Sequence, residues 1–318
     1  MEGFPSPGPQ FGRGREGLGE IEGRAAPRLG RVADFEQHRQ RLFAVAYRLL
    51  GSAAEAEDAV QDTYLRWHAA DQAEIREPAA WLTKVLTNLC LTRLTSARAR
   101  RESYVGPWLP EPLLTSYTPL DTAELRESVS MAFLLLMERL TPAERAVFVL
   151  REAFEYSHRE IADVLDLTEA NCQQLYRRAK QRVAQDRPRF DASGEEKLRI
   201  TKNFLVAARS GNMAALEGML AEGVVAWADG GGKTRAARKP IRGRERATVY
   251  LNWLASNVEG LEIRIDEVNG EPAILAFVHG DLTTVINLQI VDGLITDFRA
   301  IVNPDKLAHI AAQVTQHT

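Results

Sequence analysis

The chain has 318 residues, 45% hydrophobic and 26% charged, with a formal net charge of −3. That is room for two or three domains, each with its own core, and ordinary composition for a water-dissolved protein. The longest apolar run, Met131 to Met137, is far short of a membrane span, so no membrane partner is expected. The acidic balance excludes a globally basic nucleic-acid binder, and any DNA contact must be a local patch.

Residues 1 to about 33 carry eight of the 22 glycines within the first 31 positions and almost no aliphatic side chains. Such a stretch cannot bury a core, and an extension without fixed structure is expected. It lacks the apolar centre of a secretion signal. Ile21-Glu22-Gly23-Arg24 also spells a protease site used in expression vectors. The two cysteines, Cys90 and Cys172, fall in helical patterns and read as core thiols of a reducing, cytoplasmic compartment. No Cys/His cluster has metal-ligand spacing, and neither metal nor cofactor is expected.

From Asp34 to about Glu102 the apolar residues recur at helical spacing, with stops at Gly51 and before Pro78. The helix at about 54–70 has Ala56, Val60, Thr63, Tyr64 and Trp67 on one face. Asp58, Gln61, Asp62 and Leu65 share the other, where an apolar residue among acids suits a protein partner. The helix at about 78–101 has Trp81, Leu82, Val85, Leu86 and Leu89 as its buried stripe. Its other side presents Lys84, Thr87, Asn88, Leu91 and Thr95, followed by Arg93, Arg98, Arg100 and Arg101 near the end. Four arginines beside a Thr/Asn face fit phosphate neutralisation with base contacts.

A proline-rich linker, about 103–120, separates this set from helices at about 122–139, 142–154, 157–165 and 168–186. In the last pair, Asp166-Leu167-Thr168 makes a short turn with Thr168 as N-cap. Gln173, Gln174, Arg177 and Arg178 then line the outward face of the following helix. A short turn and an outer face of Gln and Arg is the helix-turn-helix design, with side chains able to pair with base edges. Arg187-Pro188-Arg189 closes this half.

After about Glu195 the texture changes to an α+β domain. Helices are expected at about 195–210, 212–221 and 243–257, and strands at 261–268, 273–279, 282–291 and 294–301. Asp292-Gly293 signals a tight hairpin. Gly232-Lys233-Thr234 matches the end of a phosphate-binding P-loop, but Trp227 stands where its first glycine belongs, and "TRAARKPIRG" is no clean helix start. A nucleotide P-loop is therefore excluded.

Together these stretches resemble the extracytoplasmic-function (ECF) group of bacterial sigma factors. "EDAVQDTYLRW" resembles region 2.2, which implies that Asp58, Gln61, Asp62 and Leu65 grip the clamp coiled coil of the polymerase β′ subunit. "EPAAWLTKVLTNLCLTRL" is similar to the regions that open and read the −10 element, implying contacts by Lys84, Thr87, Asn88, Arg93, Arg98, Arg100 and Arg101. "LTPAERAVFVLREAFEYSHREIADVL" with "NCQQLYRRAK" resembles region 4, which implies −35 readout through Gln173, Gln174, Arg177 and Arg178 and contact with the β flap. Asp166 stands where many members have glycine, and Asp tolerates the left-handed backbone such a turn needs.

"GPWLPEPL", "DGGGK" and "NPDKL" further resemble sigma factors with a fused SnoaL-like domain of cone-shaped α+β fold. The resemblance implies a regulatory contact made by Trp108 and Pro110 of the linker with Asp229, Gly230, Gly231, Gly232 and Lys233, and with Asn303, Pro304, Asp305, Lys306 and Leu307. The expected domains are thus region 2 over 34–102, the linker over 103–120, region 4 over 121–190 and the SnoaL-like domain over 195–318. The function implied is promoter recognition with core polymerase, not catalysis. Two other readings stand beside it: an enzyme using Asp229, His279 or Asp297 as acid–base groups, and a one-component DNA-binding regulator whose cone holds a small-molecule ligand.

Overall fold

The computed structural model describes residues 26–116, 127–186, 192–255 and 259–316, with side chains given from Asp34 onward and left out at 72, 98–100, 185–186 and 252–255. The extension over 1–25, Arg187 to Arg189 and part of the linker lie outside the described residues. Helix α1 (Ala26–Leu50) starts before the expected Asp34, with Pro27 in its first turn, where a missing N–H costs nothing.

Helices α2 (Ala53–Ala69) and α3 (Pro78–Glu102) complete the first helical set. Ser52 caps α2 by accepting from Glu55 N–H. The helix expected over 122–139 lies outside the described residues up to 126; among those described it is interrupted at Ser128–Ser130, after which α4 (Met131–Met137) begins. Ser130 caps that new start, while Ser128 accepts a bond from the buried Arg48. Helices α5 (Pro142–Phe154) and α6 (His158–Leu165) each open on a capping box, Thr141/Glu144 and Ser157/Glu160. Helix α7 (Glu169–Asp186) follows the turn in which Asp166 adopts φ 53°, the left-handed conformation anticipated for it. Both helical sets drain into one core, in which Tyr47, Leu50, Leu82 and Leu86 meet Met137, Val147, Leu150 and Ile161.

The C-terminal part opens with α8 (Gly194–Ser210) and α9 (Met213–Met219), the latter leading straight into strand β1 (Leu220–Asp229). A short β2 (Ile241–Arg242), α10 (Arg244–Ala255), β3 (Leu261–Val268), β4 (Glu271–Val278), β5 (Asp281–Val291), β6 (Leu294–Ile301) and α11 (Pro304–Gln316) complete it. The six strands form one sheet of order β2-β1-β6-β5-β4-β3, antiparallel throughout except for the parallel β1–β6 pair. All three hairpins turn on two residues with positive φ: Asn269-Gly270, His279-Gly280 and Asp292-Gly293. Such turns match the twist of the flanking strands.

Three elements of this part were not expected as such from the sequence: the long strand β1, the short β2 and the terminal helix α11. One face of the sheet packs on α8, α9 and α10 through Phe204, Leu216, Leu251, Leu288 and Phe298. The opposite face carries Leu275, Phe277, Val285 and Ile301. It is covered by Leu307 and Ile310 of α11, by Leu109 and Leu114 of the linker, and by Met131 of α4. The second core is therefore built from three parts of the chain that are distant in sequence.

Candidate polymerase, promoter and interdomain surfaces

The outward face of α2 is present as expected. Asp58, Gln61 and Leu65 are exposed, with Leu65 at 57%. Asp62 is half-buried because Arg93 of α3 donates to it at 2.7 Å and lies 3.7 Å from Asp58. The residue assigned to −10 phosphates thus neutralises part of the acidic face assigned to polymerase. Sequence spacing alone could not show this, since it does not tell which faces of neighbouring helices adjoin.

Helix α3 departs from the expected pattern in four further ways. Thr87 is fully buried, and its hydroxyl has no partner. The buried positions are Leu82, Thr83, Leu86, Thr87, Cys90, Leu94 and Ala97, while Trp81, Val85 and Leu89 are only half-buried. The stripe is rotated because α6 packs beside α3, and in the turn before α6 the Tyr156 hydroxyl lies 3.1 Å from that of Thr83. Lys84 is also engaged by α6, donating to Asp166 at 2.5 Å and to the Asp163 carbonyl at 3.0 Å.

Arg101, expected to face phosphate, turns inward instead. It pairs with Glu138, donates to the Leu50 carbonyl and sits 3.7 Å above the Trp108 ring. Asn88 is half-buried, and the side chains of Arg98 and Arg100 lie outside the described residues. On α7 the four expected positions Gln173, Gln174, Arg177 and Arg178 are all exposed, above an inner stripe of Cys172, Leu175, Ala179 and Val183. Arg178 and Arg182 flank the buried Glu144 of α5, at 3.7 and 2.5 Å.

The linker, the glycine loop and the start of α11 converge on a single carboxylate. Asp229, at the end of β1, is wholly buried. It accepts from Tyr104 Oη at 2.6 Å, from Leu109 N–H at 2.8 Å and from Lys306 Nζ at 2.7 Å. Lys306 also donates to the Leu109 carbonyl, and its ammonium lies 4.3 Å from the Trp108 ring centre. Burial lowers the Lys306 pKa, and the Asp229 charge opposes that shift. Burial likewise pushes the Tyr104 hydroxyl up, reinforced by its bond to Asp229.

Asn303 donates to the Tyr104 hydroxyl, accepts from Asp305 N–H and so anchors the first turn of α11 ahead of Pro304. Gly231, with φ 57°, must be glycine, since a Cβ there would come 2.3 Å from Asn303 Nδ2. Lys233 pairs with Asp305 at 2.6 Å, and Pro110 and Trp108 close on Gly51.

A second junction, absent from the expectations, lies at the β3–β4 hairpin. Asn269 donates to Tyr47 Oη at 2.6 Å and to the Val129 carbonyl at 2.8 Å, and accepts from Leu113 N–H at 3.2 Å. Tyr47 in turn donates to the Glu111 carbonyl, and burial raises its own pKa. Thr115 and Leu114 extend the sheet edge beside Glu267 and Val268. Asn-Gly is legible in the sequence as a hairpin turn, and that is the one signal that pointed here.

The groups considered for catalysis do not converge. Asp229 is consumed by the junction; Asp297 accepts from Trp227 Nε1 and neighbours Arg299; His279 occupies an exposed hairpin turn beside Gly260. The expected loop after β1 leads to β2 before α10 begins, so no helix starts at the end of Gly232-Lys233-Thr234. No group of His, Cys, Asp and Glu suited to a metal occurs among the described residues, and none of the described helices is long and apolar enough to cross a membrane.

Two helical modules, one with an acidic partner face and one with a helix-turn-helix, define a promoter-recognition protein. Family models agree: Sigma-70 region 2 matches residues 35–100 and Sigma-70 region 4 matches 130–183. The chain is 34% identical over 289 residues to the ECF RNA polymerase sigma factor SigJ of Mycobacterium tuberculosis strain H37Rv, covering 86% of this chain and 92% of SigJ. It is 31% identical over 289 residues to the probable ECF sigma factor SigI of M. tuberculosis strain CDC 1551, covering 89% and 96%. The crystal structure of SigJ superposes with a TM-score of 0.68 at 30% identity, over 87% of this chain and 98% of that one.

The chain belongs to the ECF RNA polymerase sigma factors, and its C-terminal part is the SnoaL-like α+β domain. It directs transcription initiation, with core RNA polymerase and promoter DNA as partners.

Proposed function

We propose that the outer face of α2, through Asp58, Gln61, Asp62 and Leu65, docks on the β′ clamp coiled coil, and that region 4 meets the β flap. Asn88 and the α3 face around it serve the −10 element, with Arg93 released to phosphate once Asp58 and Asp62 engage polymerase. Gln173, Gln174 and Arg178 read −35 base edges while Arg177 holds a phosphate. The SnoaL-like domain acts as a regulator and not as an enzyme. Its possible acid–base groups are spent on structural bonds or stand apart.

The regulatory device is the closed arrangement of regions 2 and 4, stapled to the SnoaL-like domain through the linker. The observation that carries it is the bonding of Asp229 to Tyr104, Leu109 and Lys306, which joins linker, β1 and α11 in one buried knot. In this state Lys84 is occupied by Asp166, so −10 and −35 surfaces cannot separate to span a promoter without opening.

The test is run-off transcription with core polymerase from a cognate promoter, comparing the full chain with Asp229→Asn and with a chain ending at Ala192. The regulatory reading requires that both change promoter output relative to the parent. Equal output from all three would reject it, leaving the SnoaL-like domain a passenger.

A further inference from the structure

We infer that the glycine loop after β1 forms one wall of a binding cleft for a small phosphorylated anion, and that the linker forms the other wall. The cleft encloses about 290 Å³ and is lined by Val105, Gly106, Ala228, Gly230 and the loop from Gly232 to Arg238. That is the small end of ligand pockets, enough for a diphosphate or a compact phosphorylated metabolite. Its floor is small side chains and backbone, and its charged lining residues are Arg235, Arg238 and Lys233, the last also paired with Asp305 at 2.6 Å.

The charge pattern is local and out of keeping with the chain. Residues 233–246 hold seven Lys or Arg against the single acid Glu245, in a protein of net charge −3. Lys233, Arg235, Arg238, Lys239, Arg242 and Arg246 are exposed. Like charges so close repel, and a bound polyanion relieves that repulsion while arginine offers planar, two-pronged donors to phosphate.

The loop does not bind in P-loop fashion, because no helix starts at its end. Instead Gly230 and Gly232 let it curl: a Cβ on Gly230 would lie 2.7 Å from the Thr234 carbonyl oxygen, and one on Gly232 would press on Val105 at 3.2 Å. A DNA duplex is too wide to enter, so a small ligand fits the concavity better than a promoter does.

Occupancy reaches the regulatory junction directly. Val105 and Gly106 follow Tyr104, whose hydroxyl donates to Asp229, and Gly230 follows Asp229 itself. An anion bridging the two walls holds the linker against the domain and favours the closed arrangement. This rests on the regulatory reading above and names its effector class.

The test is calorimetric titration of the full-length protein at low ionic strength with inorganic pyrophosphate, with ATP and with a 20-base-pair DNA duplex. Arg235→Glu/Arg238→Glu is compared with Lys202→Glu, a charge change on the remote helix α8. Support is one-to-one binding of pyrophosphate or ATP, weakened at least tenfold in the loop variant, unchanged in the control, and accompanied by slower amide exchange at residues 104–106. Absence of small-anion binding, or binding indifferent to the loop variant, overturns the inference. Loop-dependent binding of the duplex alone overturns it too, since the loop is then a DNA contact. Binding without any effect of Asp229→Asn on transcription keeps the site and removes its regulatory role; the reverse pair of results keeps regulation and removes the site.

Discussion

Asn269 Nδ2 lies 2.6 Å from Tyr47 Oη, joining residues 222 positions apart and tying a hairpin of the SnoaL-like domain to the first helix of region 2. Both groups are buried, and Asn269 sits at φ 57°, so the position needs a side chain that donates and a backbone that tolerates left-handed geometry. Asn meets both demands.

Asn269→Ala should therefore cost about 2–4 kcal/mol, from lost buried hydrogen bonds and from the backbone conformation. Asn269→Gly keeps the turn and should cost less. Thermal unfolding measured by circular dichroism checks the order Ala below Gly below wild type, and equal midpoints would show that the junction contributes little.

Removing one partner of the buried Asp229–Lys306 pair leaves the other charge stranded. Lys306→Met should lower stability by about 3–5 kcal/mol, while Asp229→Leu combined with Lys306→Met should cost less than either single change. Scanning calorimetry on the three variants decides this. Additive losses would mean that the two groups do not interact.

His309 of α11 stacks on Phe43 of α1, with ring centres 6.1 Å apart and planes 15° from parallel. Burial lowers its pKa, against the opposing pull of Glu57 and Glu111, the two acids that face it. The unfolded chain then binds its proton at higher pH than the folded one. Stability from this site is complete above the ordinary histidine value of about 6.5 and falls as pH drops through and below it. His309→Phe should keep the stack and flatten that part of the profile. Melting temperatures between pH 7.5 and 5.5, wild type against variant, make the comparison; parallel profiles would assign the pH response to other groups.

Lys84 is held by Asp166 on the surface, where an ion pair adds little to stability. Asp166→Gly suits the left-handed turn and frees Lys84 without touching a DNA-facing residue, so promoter output in run-off transcription should hold or rise. Lys84→Ala removes the same lock together with the proposed −10 contact, and output should fall. Matching changes in both variants would remove Lys84 from the −10 surface.

The roles proposed for α7 separate by salt. Arg177→Ala should weaken polymerase-dependent promoter binding evenly across −35 sequences and reduce the salt slope by about one. Gln174→Ala should instead relax preference at a single −35 position, read by competition among promoter variants.

The order of two helical modules and an α+β domain, the acidic face of α2 and the Gln/Arg face of α7 were legible from the amino-acid sequence, because helical period and turn chemistry are local. Asp166 in its left-handed turn and Asp292-Gly293 in its hairpin follow from the same local rules. Which side of α3 is buried was not legible. Thr87 and Arg101 face inward because α6, Glu138 and Trp108 arrive there from elsewhere in the chain, and an amphipathic wheel knows only its own helix. Strand β1 and helix α11 were hidden for a related reason. The strand is stabilised by parallel pairing with β6 from 70 residues on, and the helix by covering a sheet face already completed. The motifs around Asp229, Asn303 and Trp108 could be picked out one by one. Only folding brings them to one carboxylate, since a buried charge must gather its donors from wherever the chain can supply them.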